Sequence, residues 1–525
     1  MTVVDLNPVS AVLCQAQYFP HAEVLVYGDR TWTYQSLVDE TRILASALRT
    51  RGVGHGDRVA YLGFNSVSFI ETMLAAWWIG AVFAPLNFRL APHEVRSILE
   101  QAQPSVIVVE PSHLETIDVA DHKDISTTTT TVVVVDNDPE IPAPETIADH
   151  YTPMSALINV ENQATLPVVA TSDDLAALMF TSGTTGTPKG VQLTHGNIWW
   201  NQLNVDSIVD TRRCDTNLAA APLFHIGGLN ALTIRTITRG GRTIIRRAFD
   251  PRQALDDIEQ YDVAQAFLVP AMLSAMQATP DFETRDLSSL RALICAGAPV
   301  PPVLIEQYQL KAVAVQQAWG LTETSPFATY LPSELTHVKP GSCGIPMPYT
   351  DVQIMDTDTG RRLPAGESGE MWVRGPNVTA GYWNNGEATD AAFTDGWFRS
   401  GDIGYQDDEG YFYVVDRLKD MIITGGENVY PAELERTLME YPDVRDVAVV
   451  GVQDAQWGEA VTAVMSFHVG PAPSIEQVRD FAAERLARYK LPKHLIVTDT
   501  IARNGSGKLD KPAIRTLAVE ALDSQ

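Results

Sequence analysis

The sequence has 525 residues, of which 45% are hydrophobic and 20% are charged. A chain of this length is too long for one ordinary hydrophobic core, so we expect several folded parts. Its 65 acidic side chains outnumber 38 basic ones, and the formal charge of −27 disfavours nucleic-acid binding. Anionic ligands are repelled as well, so a site for them needs local backbone donors, a few cationic side chains or a metal ion.

The beginning of the chain and its cysteines predict a soluble, cytoplasmic protein. Residues 1–10 have no basic stretch followed by an apolar core, so no signal peptide is expected. The longest uncharged apolar stretch, Met73–Leu86, is shorter than the ~20 residues of a membrane span and predicts a buried helix instead of a transmembrane segment. The cysteines lack the spacing of a disulfide framework or a zinc site. They are Cys14, Cys214, Cys295 and Cys343.

From about Thr31 onward, helical patterns alternate with short β-branched runs, which predicts parallel βαβ layers. The expected strands include Arg58–Leu62, Val106–Glu110 and Val132–Val135. The segment Ser126–Asp136, STTTTTVVVVD, has a low-complexity composition. Because threonine and valine are good strand formers, we interpret it as a strand with a Thr-rich approach.

The pattern changes in the last third of the chain. Residues 341–415 contain short alternating runs rich in glycine, proline and aromatic residues, which predict an antiparallel sheet or a distorted barrel. After Arg417 the pattern predicts a compact α+β unit, so we place a domain boundary between residues 415 and 416. The elements expected here are strands Gln353–Met355, Met371–Arg374, Tyr411–Val415, Val447–Gly451 and His494–Val497, and helices Pro431–Glu440 and Ile475–Ala487.

One segment carries a clear chemical signal. Thr181–Gly190 reads TSGTTGTPKG, between the apolar run Leu175–Phe180 and a helix-like stretch. Glycines let a backbone approach phosphate oxygens closely, and hydroxyls and amides donate hydrogen bonds to them. The segment differs from a Walker A loop, because Pro188 replaces the second glycine and Gly190 follows Lys189 where Ser or Thr is required. A flexible polar linker is the alternative interpretation.

Thr181–Gly190 resembles, residue for residue, the phosphate-binding loop of the adenylate-forming superfamily. That superfamily includes acyl-CoA synthetases, aryl-CoA ligases, carrier-protein adenylation domains and beetle luciferases. Further motifs follow in the family's order, so the resemblance covers nearly the whole chain. They are Pro222–His225 (PLFH), Ala296–Pro299 (AGAP), Trp319–Glu323 (WGLTE), Arg399–Asp402 (RSGD), Asp416–Asp420 (DRLKD), Gly425–Pro431 (GGENVYP) and Arg503–Lys508 (RNGSGK).

The resemblance implies a fold and a reaction. The fold is α/β, with a large N-terminal AMP-binding and acid-binding domain (residues 1–415) and a small mobile α+β C-terminal domain (residues 416–525). The larger domain would contain two βαβ-layered subdomains and a distorted β-barrel. The enzyme would be an acid–thiol ligase, an AMP-forming acyl-CoA synthetase. A carboxylate and ATP would give an acyl-adenylate and pyrophosphate, and coenzyme A would then give acyl-CoA and AMP.

The resemblance also assigns the nucleotide site. Thr322 would hydrogen-bond the α-phosphate, Asp402 and Arg417 would contact the ribose, and Ala296–Ala298 would offer backbone groups to adenine. Trp319 stands where the family commonly has tyrosine, so any contact through a phenolic hydroxyl is lost. The expected ATP- and AMP-binding residues are Thr181, Ser182, Gly183, Thr184, Thr185, Gly186, Thr187, Lys189, Ala296, Gly297, Ala298, Trp319, Gly320, Thr322, Asp402, Arg417 and Lys508.

Two residues are expected to act on the phosphates. Glu323 would bind Mg²⁺, a hard ion that prefers carboxylate and phosphate oxygens. Lys508, in a Gly-rich turn, would carry its ammonium to the reacting carboxylate and α-phosphate. Lys419 would be the hinge about which the small domain rotates between the two half-reactions. Coenzyme A would then be bound through Gly425, Gly426 and Glu427.

The acid itself is the least determined feature. Gly227 and Gly228 remove bulk, so a deep apolar channel for a medium- or long-chain fatty acid is the first expectation. The same glycines are compatible with an aromatic ring, as in aryl-CoA ligases. His225 is a candidate catalytic or gating residue, or else a structural histidine. The predicted acid pocket consists of His225, Ile226, Gly227, Gly228, Leu229, Leu321 and Thr324.

The remaining expectations concern partners. Six arginines between Arg235 and Arg252 stand out against the acidic background and suggest a weak peripheral contact with a membrane, or merely solvated arginines. A luciferase is disfavoured because the C-terminus, LDSQ, lacks a peroxisomal Ser-Lys-Leu signal. A stand-alone enzyme that loads a carrier protein stays an alternative, as does a non-catalytic nucleotide-binding module. The sequence leaves open whether the chain forms a homodimer.

Overall fold

The computed structural model describes residues 4–118, 130–144, 146–158, 166–181, 188–424, 427–454, 458–468, 472–504 and 507–523. The chain separates into two compact units. The first comprises Met1–Val352 and Val373–Phe398, and the second comprises Gln353–Trp372 and Arg399–Gln525. The predicted α/β class is confirmed. None of the helices in the described ranges combines the length and the apolarity that crossing a membrane requires.

Two mainly parallel sheets form the first unit. The seven-stranded sheet has the order β7-β6-β5-β3-β4-β8-β9, and the nine-stranded sheet has the order β16-β15-β14-β13-β12-β10-β11-β1-β2. Their strands are β1 (Glu23–Tyr27), β2 (Arg30–Thr33), β3 (Arg58–Leu62), β4 (Val82–Leu86), β5 (Val106–Val109), β6 (Thr131–Val134), β7 (Thr152–Pro153), β8 (Leu175–Thr181), β9 (Lys189–Thr194), β10 (Thr216–Ala219), β11 (Arg242–Ile245), β12 (Gln265–Leu268), β13 (Ala292–Cys295), β14 (Val315–Gly320), β15 (Phe327–Tyr330) and β16 (Ile345–Pro346).

Helices cover both sheets. Several begin with a side-chain cap, such as Ser66, whose hydroxyl accepts from the backbone N–H of Phe69. The cores between helices and sheets consist of buried aliphatic and aromatic side chains. The helices of this unit are α1 (Pro8–Tyr18), α2 (Tyr34–Thr50), α3 (Val67–Trp78), α4 (Pro92–Ala102), α5 (Leu114–Asp118), α6 (Met154–Leu157), α7 (His195–Ile208), α8 (Ile226–Asn230), α9 (Thr233–Thr238), α10 (Pro251–Tyr261), α11 (Pro270–Gln277), α12 (Pro302–Leu310) and α13 (Gly386–Ala392).

Two predictions for this unit were wrong. Met73–Leu86 is not one helix, because α3 ends at Trp78, Gly80 turns the chain with φ +77°, and the rest forms β4. Both parts are buried, and an apolar run does not by itself distinguish a buried helix from a buried strand. The segment after the glycine-rich loop is strand β9, antiparallel to β8, and the helix begins only at His195.

A further, antiparallel sheet follows residue 350, within the range where the sequence predicted one. The strands are β17 (Asp351–Met355), β18 (Gly369–Arg374), β19 (Phe393–Thr394), β20 (Trp397–Gln406) and β21 (Phe412–Arg417). Within the first unit, β19 pairs with the start of β20. Within the second unit, β21 pairs with the rest of β20, so that Asp402 lies opposite Arg417.

The rest of the second unit is the predicted α+β unit. Its sheet has the order β23-β22-β25-β24, with β26 parallel to β25. Helix α15 ends four residues earlier than expected, at Ala483, and the chain continues into a 3₁₀ turn at Arg488–Lys490. The elements are β22 (Ile422–Thr424), β23 (Glu427–Val429), β24 (Val444–Asp454), β25 (Gly458–Phe467), β26 (His494–Val497), α14 (Pro431–Met439), α15 (Ile475–Ala483) and α16 (Lys511–Asp523).

Candidate active site

The predicted site residues of the first unit lie where strands end. Strands β10, β12, β13 and β14 are parallel, so their carboxyl ends share one edge of the nine-stranded sheet. This edge brings together Pro222–His225 after β10, Ala296–Ala298 after β13 and Leu321–Glu323 after β14. Ligands of α/β proteins commonly bind at such an edge.

The glycine-rich loop is closed by a hairpin. Thr181, at the end of β8, lies opposite Lys189, at the start of β9, in the antiparallel register. The hairpin therefore holds the two ends of the loop next to each other. Ser182, Gly183, Thr184, Thr185, Gly186 and Thr187 lie outside the described residues.

The Thr-Glu turn after β14 is tightly packed. A Cβ added at Gly320 would lie 1.8 Å from the carbonyl oxygen of Pro326, so only glycine fits there. A 3₁₀ turn follows at Thr322–Thr324. The Thr324 hydroxyl closes it, because Oγ1 accepts from the N–H of Leu321 (2.8 Å) and donates to the carbonyl of Pro326 (2.5 Å). Thr324 is fully buried, whereas Thr322 keeps part of its surface exposed.

Glu323 is buried beside a tyrosine that the sequence analysis missed. Its side chain is 8% exposed, and its Oε1 accepts a hydrogen bond from the Tyr382 hydroxyl at 2.9 Å. Burial, and then the charge of Glu323, raise the pKa of Tyr382, which therefore stays a donor. The ammonium of Lys189 lies 5.1 Å from the centre of the Tyr382 ring.

Buried asparagines fix the backbone of this turn. Asn377 donates from Nδ2 to the carbonyls of Thr324 (2.8 Å) and Phe327 (2.9 Å). Asn197 of α7 donates to the carbonyls of Pro376 and Val378, both at 2.9 Å. One turn further along α7, Asn201 donates to the carbonyl of Asn230 at 2.7 Å. Asn197 and Asn201 are four positions apart and therefore lie on the same face of α7. This spacing is the sequence feature from which their shared structural role could have been predicted.

The proposed adenine contacts are split between buried and exposed positions. Ala296 and Trp319 are each 7% exposed, and Trp319 pairs with Thr329 across β14 and β15. Gly297 and Ala298 are exposed. Gly297 and Ala298 are therefore accessible at the surface, while the indole of Trp319 is mostly enclosed.

Gly227 and Gly228 do not by themselves open space for the expected deep channel, which stays a prediction. A Cβ at Gly227 would lie 2.6 Å from the Phe267 ring, and one at Gly228 would lie 2.3 Å from the carbonyl oxygen of Pro222. The glycines therefore allow close packing of α8, and the space they leave is already filled. Phe267 is half-buried, and its ring centre lies 6.2 Å from that of buried Phe327.

The other residues of the expected acid pocket differ in exposure. His225 is exposed and lies against the Phe224 ring, with ring centres 4.4 Å apart. Ile226 and Leu229 are buried, and Leu321 is half-buried. An exposed His225 is not a core histidine, so the structural alternative considered for it does not hold.

A second group of predicted residues lies within the second unit. Asp402 is buried, and its Oδ1 lies 2.5 Å from the Nε of Arg417, its cross-strand neighbour. Lys508 lies near both and near Lys419, which is exposed in a 3₁₀ turn. The pKa of Lys508 is lowered by desolvation, then by Arg417, and also by Lys419, while Asp402 opposes the shift.

The predicted coenzyme A residues are only partly within the structure. Gly425 and Gly426 lie outside the described residues. Glu427 begins β23, where its backbone pairs with Thr424. These three assignments stay predictions.

The six arginines do not form a basic patch. Each has a carboxylate partner, and Asp206 serves two of them. The pairs are Arg235–Asp206, Arg239–Asp206, Arg242–Glu23, Arg246–Asp257, Arg247–Glu110 and Arg252–Asp281. Their charge is thus paired locally, although the side chains of Arg239 and Arg252 remain partly exposed, and a membrane contact through them stays a prediction.

Comparison with known proteins decides the family. A sequence model of the AMP-binding enzyme family matches residues 14–383, and a model of the AMP-binding enzyme C-terminal domain matches residues 433–508. The chain belongs to the AMP-binding enzyme family. The predicted superfamily and the predicted class, an AMP-forming acid–thiol ligase, are confirmed. ATP and coenzyme A fit this AMP-binding enzyme as co-substrates.

Characterised relatives of this AMP-binding enzyme differ in the acid they are named for. Feruloyl-CoA synthase of Amycolatopsis sp is 42% identical over 95% of this chain and 97% of its own. Indoleacetate–CoA ligase of Aromatoleum aromaticum is 39% identical over 95% of each chain. The long-chain-fatty-acid–CoA ligase FadD13 of Mycobacterium tuberculosis is 37% identical over 93% of each chain.

Solved structures agree with this assignment. ATP-bound MatB from Rhodopseudomonas palustris has a TM-score of 0.89 at 30% identity, covering 99% of this chain and 100% of that chain. The Bacillus subtilis o-succinylbenzoate coenzyme A synthetase in complex with ATP and a magnesium ion has a TM-score of 0.84 at 31% identity, covering 96% and 98%.

Proposed function

We propose that this AMP-binding enzyme activates a compact aromatic carboxylic acid and transfers it to coenzyme A. The observation that carries the choice of acid is the Phe267 ring, which fills the space at Gly227 where a long alkyl chain was expected to pass. The similarity to feruloyl-CoA synthase and indoleacetate–CoA ligase supports the same choice. A medium- or long-chain fatty acid is the second candidate, favoured by the similarity to FadD13.

We infer that the first unit holds the phosphates. Thr181, Lys189 and the loop between them would bind the phosphate groups through backbone amides, hydroxyls and one ammonium. Thr322 would donate to the α-phosphate from its partly exposed position. Ala296, Gly297, Ala298, Trp319 and Gly320 would surround the adenine.

Glu323 fits the role of the Mg²⁺ ligand. Mg²⁺ is usually bound by one or two carboxylates together with substrate phosphates, so a single buried carboxylate near a phosphate loop is sufficient. Within the described parts of the chain, no group of three or more His, Cys, Asp or Glu side chains is arranged for a metal, which agrees with a cation held mainly by ATP. When bound, the cation would neutralise phosphate charge.

The second unit would supply the remaining groups. Asp402 and Arg417 would contact the ribose. The Lys508 ammonium would stabilise the charge that develops as the acid carboxylate attacks the α-phosphorus and pyrophosphate leaves. No general base is needed, because the carboxylate is already ionised. Lys419 would be the hinge, with a mobile domain at residues 416–525, and Gly425, Gly426 and Glu427 would bind coenzyme A in the second half-reaction.

We place the binding site of the substrate acid next to Phe267. The acid would lie near exposed His225 and half-buried Leu321, with its ring against Phe267. The six paired arginines carry no proposal of a membrane contact. A carrier protein as the acceptor stays a prediction, and replacing coenzyme A by a phosphopantetheinyl carrier tests it.

A panel of acids tests the substrate. Acid-dependent release of pyrophosphate and AMP is measured with ring-bearing acids and with short, medium and long straight-chain acids, with and without coenzyme A. Ring-bearing acids should give kcat/KM values about tenfold or more above those of long chains, the discrimination a fitted apolar pocket provides. Phe267→Ala should narrow that ratio by about tenfold, because it removes the ring that closes the pocket.

Phe393→Ala is the matched control, because it removes a half-buried ring that contacts Phe398 rather than the site. It should leave the ratio unchanged. The aromatic proposal would be contradicted if the native enzyme prefers long chains and Phe267→Ala does not change the ratio of kcat/KM values. The fatty acid would then be the substrate class.

A further inference from the structure

Tyr382 connects the two parts of the phosphate site, and none of the roles above uses it. Its hydroxyl donates to Oε1 of Glu323 at 2.9 Å, and its ring centre lies 5.1 Å from Nζ of Lys189. One side chain thus contacts both the proposed cation ligand and the lysine at the end of the phosphate loop. Tyr382 itself is 9% exposed, so both contacts are largely shielded from water.

The backbone of Tyr382 is attached to strand β9. Tyr382 forms an antiparallel bridge with Val191, and the next residue, Trp383, donates its N–H to the carbonyl of Gly190 at 2.7 Å. The N–H of Tyr382 donates to Oγ1 of Thr389 at 3.0 Å. The ring therefore projects from a backbone that is fixed to the strand leaving the loop.

Glu323, by contrast, follows β14 of the other sheet. Its own carbonyl accepts the N–H of Thr379 at 2.8 Å, and the Thr379 hydroxyl donates to the carbonyl of Gln192 in β9 at 2.5 Å. Residues 379–382 thus link the edge of the seven-stranded sheet to the turn of the nine-stranded sheet. The Tyr382 hydroxyl reaches the Glu323 carboxylate from this linking segment.

We propose that Tyr382 is a positioning residue that holds the Glu323 carboxylate for the divalent cation and places Lys189 beside it. The proposal rests on the function proposed above, since it takes Glu323 as the cation ligand. A donor fixed on Oε1 restricts rotation of the carboxylate, and partners of this kind orient metal ligands. The ring face attracts the ammonium of Lys189 through a cation–π contact.

Binding of Mn²⁺, a spectroscopic substitute for Mg²⁺, tests this role without turnover. Electron paramagnetic resonance measures Mn²⁺ affinity of the enzyme with ATP and no acid. Tyr382→Phe keeps the ring and removes only the hydroxyl, so it should weaken Mn²⁺ binding about tenfold. Metal-free ATP binding should stay as in the native enzyme. Tyr382→Leu, which also removes the ring, should weaken metal-free ATP binding as well.

Tyr308→Phe is the matched control, because its buried hydroxyl donates to the carbonyl of Leu273 at 3.0 Å in the core behind the nine-stranded sheet. It should lower the melting temperature about as much as Tyr382→Phe and leave Mn²⁺ affinity unchanged. Equal Mn²⁺ affinities for Tyr382→Phe, Tyr308→Phe and the native enzyme would overturn the positioning role.

Glu323→Gln separates failure of this proposal from failure of the proposed function. If it weakens Mn²⁺ binding and Tyr382→Phe does not, the positioning role is overturned and Glu323 remains the ligand. If Glu323→Gln has no effect, both are overturned. The double variant guards against a fold defect. This variant combines Tyr382→Phe with Glu323→Gln. If Tyr382 acts through Glu323, the double variant should bind Mn²⁺ no more weakly than Glu323→Gln alone. If the two losses of Mn²⁺ affinity add up, the defect is general and the proposal is contradicted.

Discussion

The turn at Gly320–Ser325 and the turn at Asn504–Lys508 carry the two residues proposed to act on the phosphates, and they are built in opposite ways. The first is buried and held by side chains from distant parts of the chain, including Asn377 and Tyr382. In the second, the described residues are exposed and two local bonds join its ends: the N–H of Asn504 donates to the carbonyl of Lys508, and the N–H of Lys508 donates to Oδ1 of Asn504. Under the proposed roles, we expect the group that is needed before ATP binds to be held by distant side chains, and the group that acts in one half-reaction to be held by fewer of them.

The charges of the two regions differ in the same way. At Glu323 the neutral hydroxyl of Tyr382 donates to the carboxylate, and the amide of Asn377 donates to the carbonyl of the next residue, Thr324. Around Lys508, two further cations, Arg417 and Lys419, lie near the carboxylate of Asp402. Desolvation and these two cations lower the pKa of Lys508, while Asp402 opposes the shift. In a chain of charge −27, this cluster is a local attraction for anionic phosphates.

The largest effect is expected from the exposed turn. Lys508→Ala should lower the rate of adenylate formation by about two to three orders of magnitude, the scale of a lost charge-stabilising donor. Because the lysine contributes little packing, the melting temperature should hardly change. Acid-dependent pyrophosphate release measures the first quantity and thermal unfolding the second. A large fall in melting temperature would mean that Lys508 is structural.

An intermediate effect is expected from the buried turn. Asn377→Ala leaves the carbonyls of Thr324 and Phe327 without their donor, which should cost about 1–3 kcal/mol of unfolding free energy. It should also lower kcat for adenylation, since the turn no longer holds Glu323 in place. Asp250→Ala is the control, because Asp250 caps α10 at an exposed position away from this turn. It should lower stability without lowering kcat, and equal kcat values for both variants would contradict the role of the network.

The smallest effect concerns Asp416, which fastens Arg417 to helix α14. Its carboxylate accepts the N–H groups of Arg417 and Ala432, and burial raises its pKa to about 6. The folded state then binds the proton more tightly than the unfolded state, so stability from this group is present below pH 4 and is lost as pH rises through 6.

Asp416→Asn should remove that part of the pH dependence, on the order of 2 kcal/mol between pH 4 and pH 7. Unfolding by urea across this range measures it. Asp408→Asn removes an exposed carboxyl of the same unit. It should leave the slope of the unfolding free energy against pH as it is in the native protein. An unchanged slope for Asp416→Asn would show that Asp416 does not titrate as described.

Local patterns predicted much of the fold. Strands Arg58–Leu62 and His494–Val497 were predicted to the residue, because short, mainly apolar runs between polar or glycine residues leave few alternatives. Apolar runs without such boundaries were less informative, and Met73–Leu86 contains both a helix and a strand. Strand β9 was missed because its partner β8 lies across the glycine-rich loop, where pairing is not visible in a window of sequence.

The residues of the candidate site also differ in how well the sequence predicted them. Glu323 and Lys508 were predicted because motif residues are recognised by type and order. Tyr382 was missed because its link to Glu323 spans 59 positions, and nothing in either segment signals the other. Phe267 reversed the interpretation of Gly227, since a glycine in sequence does not tell whether space is open or occupied by a distant ring.

The central claim is that Lys508 and Lys419 serve separate half-reactions. The most direct test measures the rates of both half-reactions in two variants. One rate is acid-dependent pyrophosphate release, and the other is coenzyme A consumption with premade acyl-adenylate. Lys508→Ala should lose the first rate and keep the second. Lys419→Pro should keep the first and lose the second, because proline fixes φ and restricts the proposed hinge. If both substitutions lower both rates equally, Lys508 and Lys419 do not serve separate steps, and the division is contradicted.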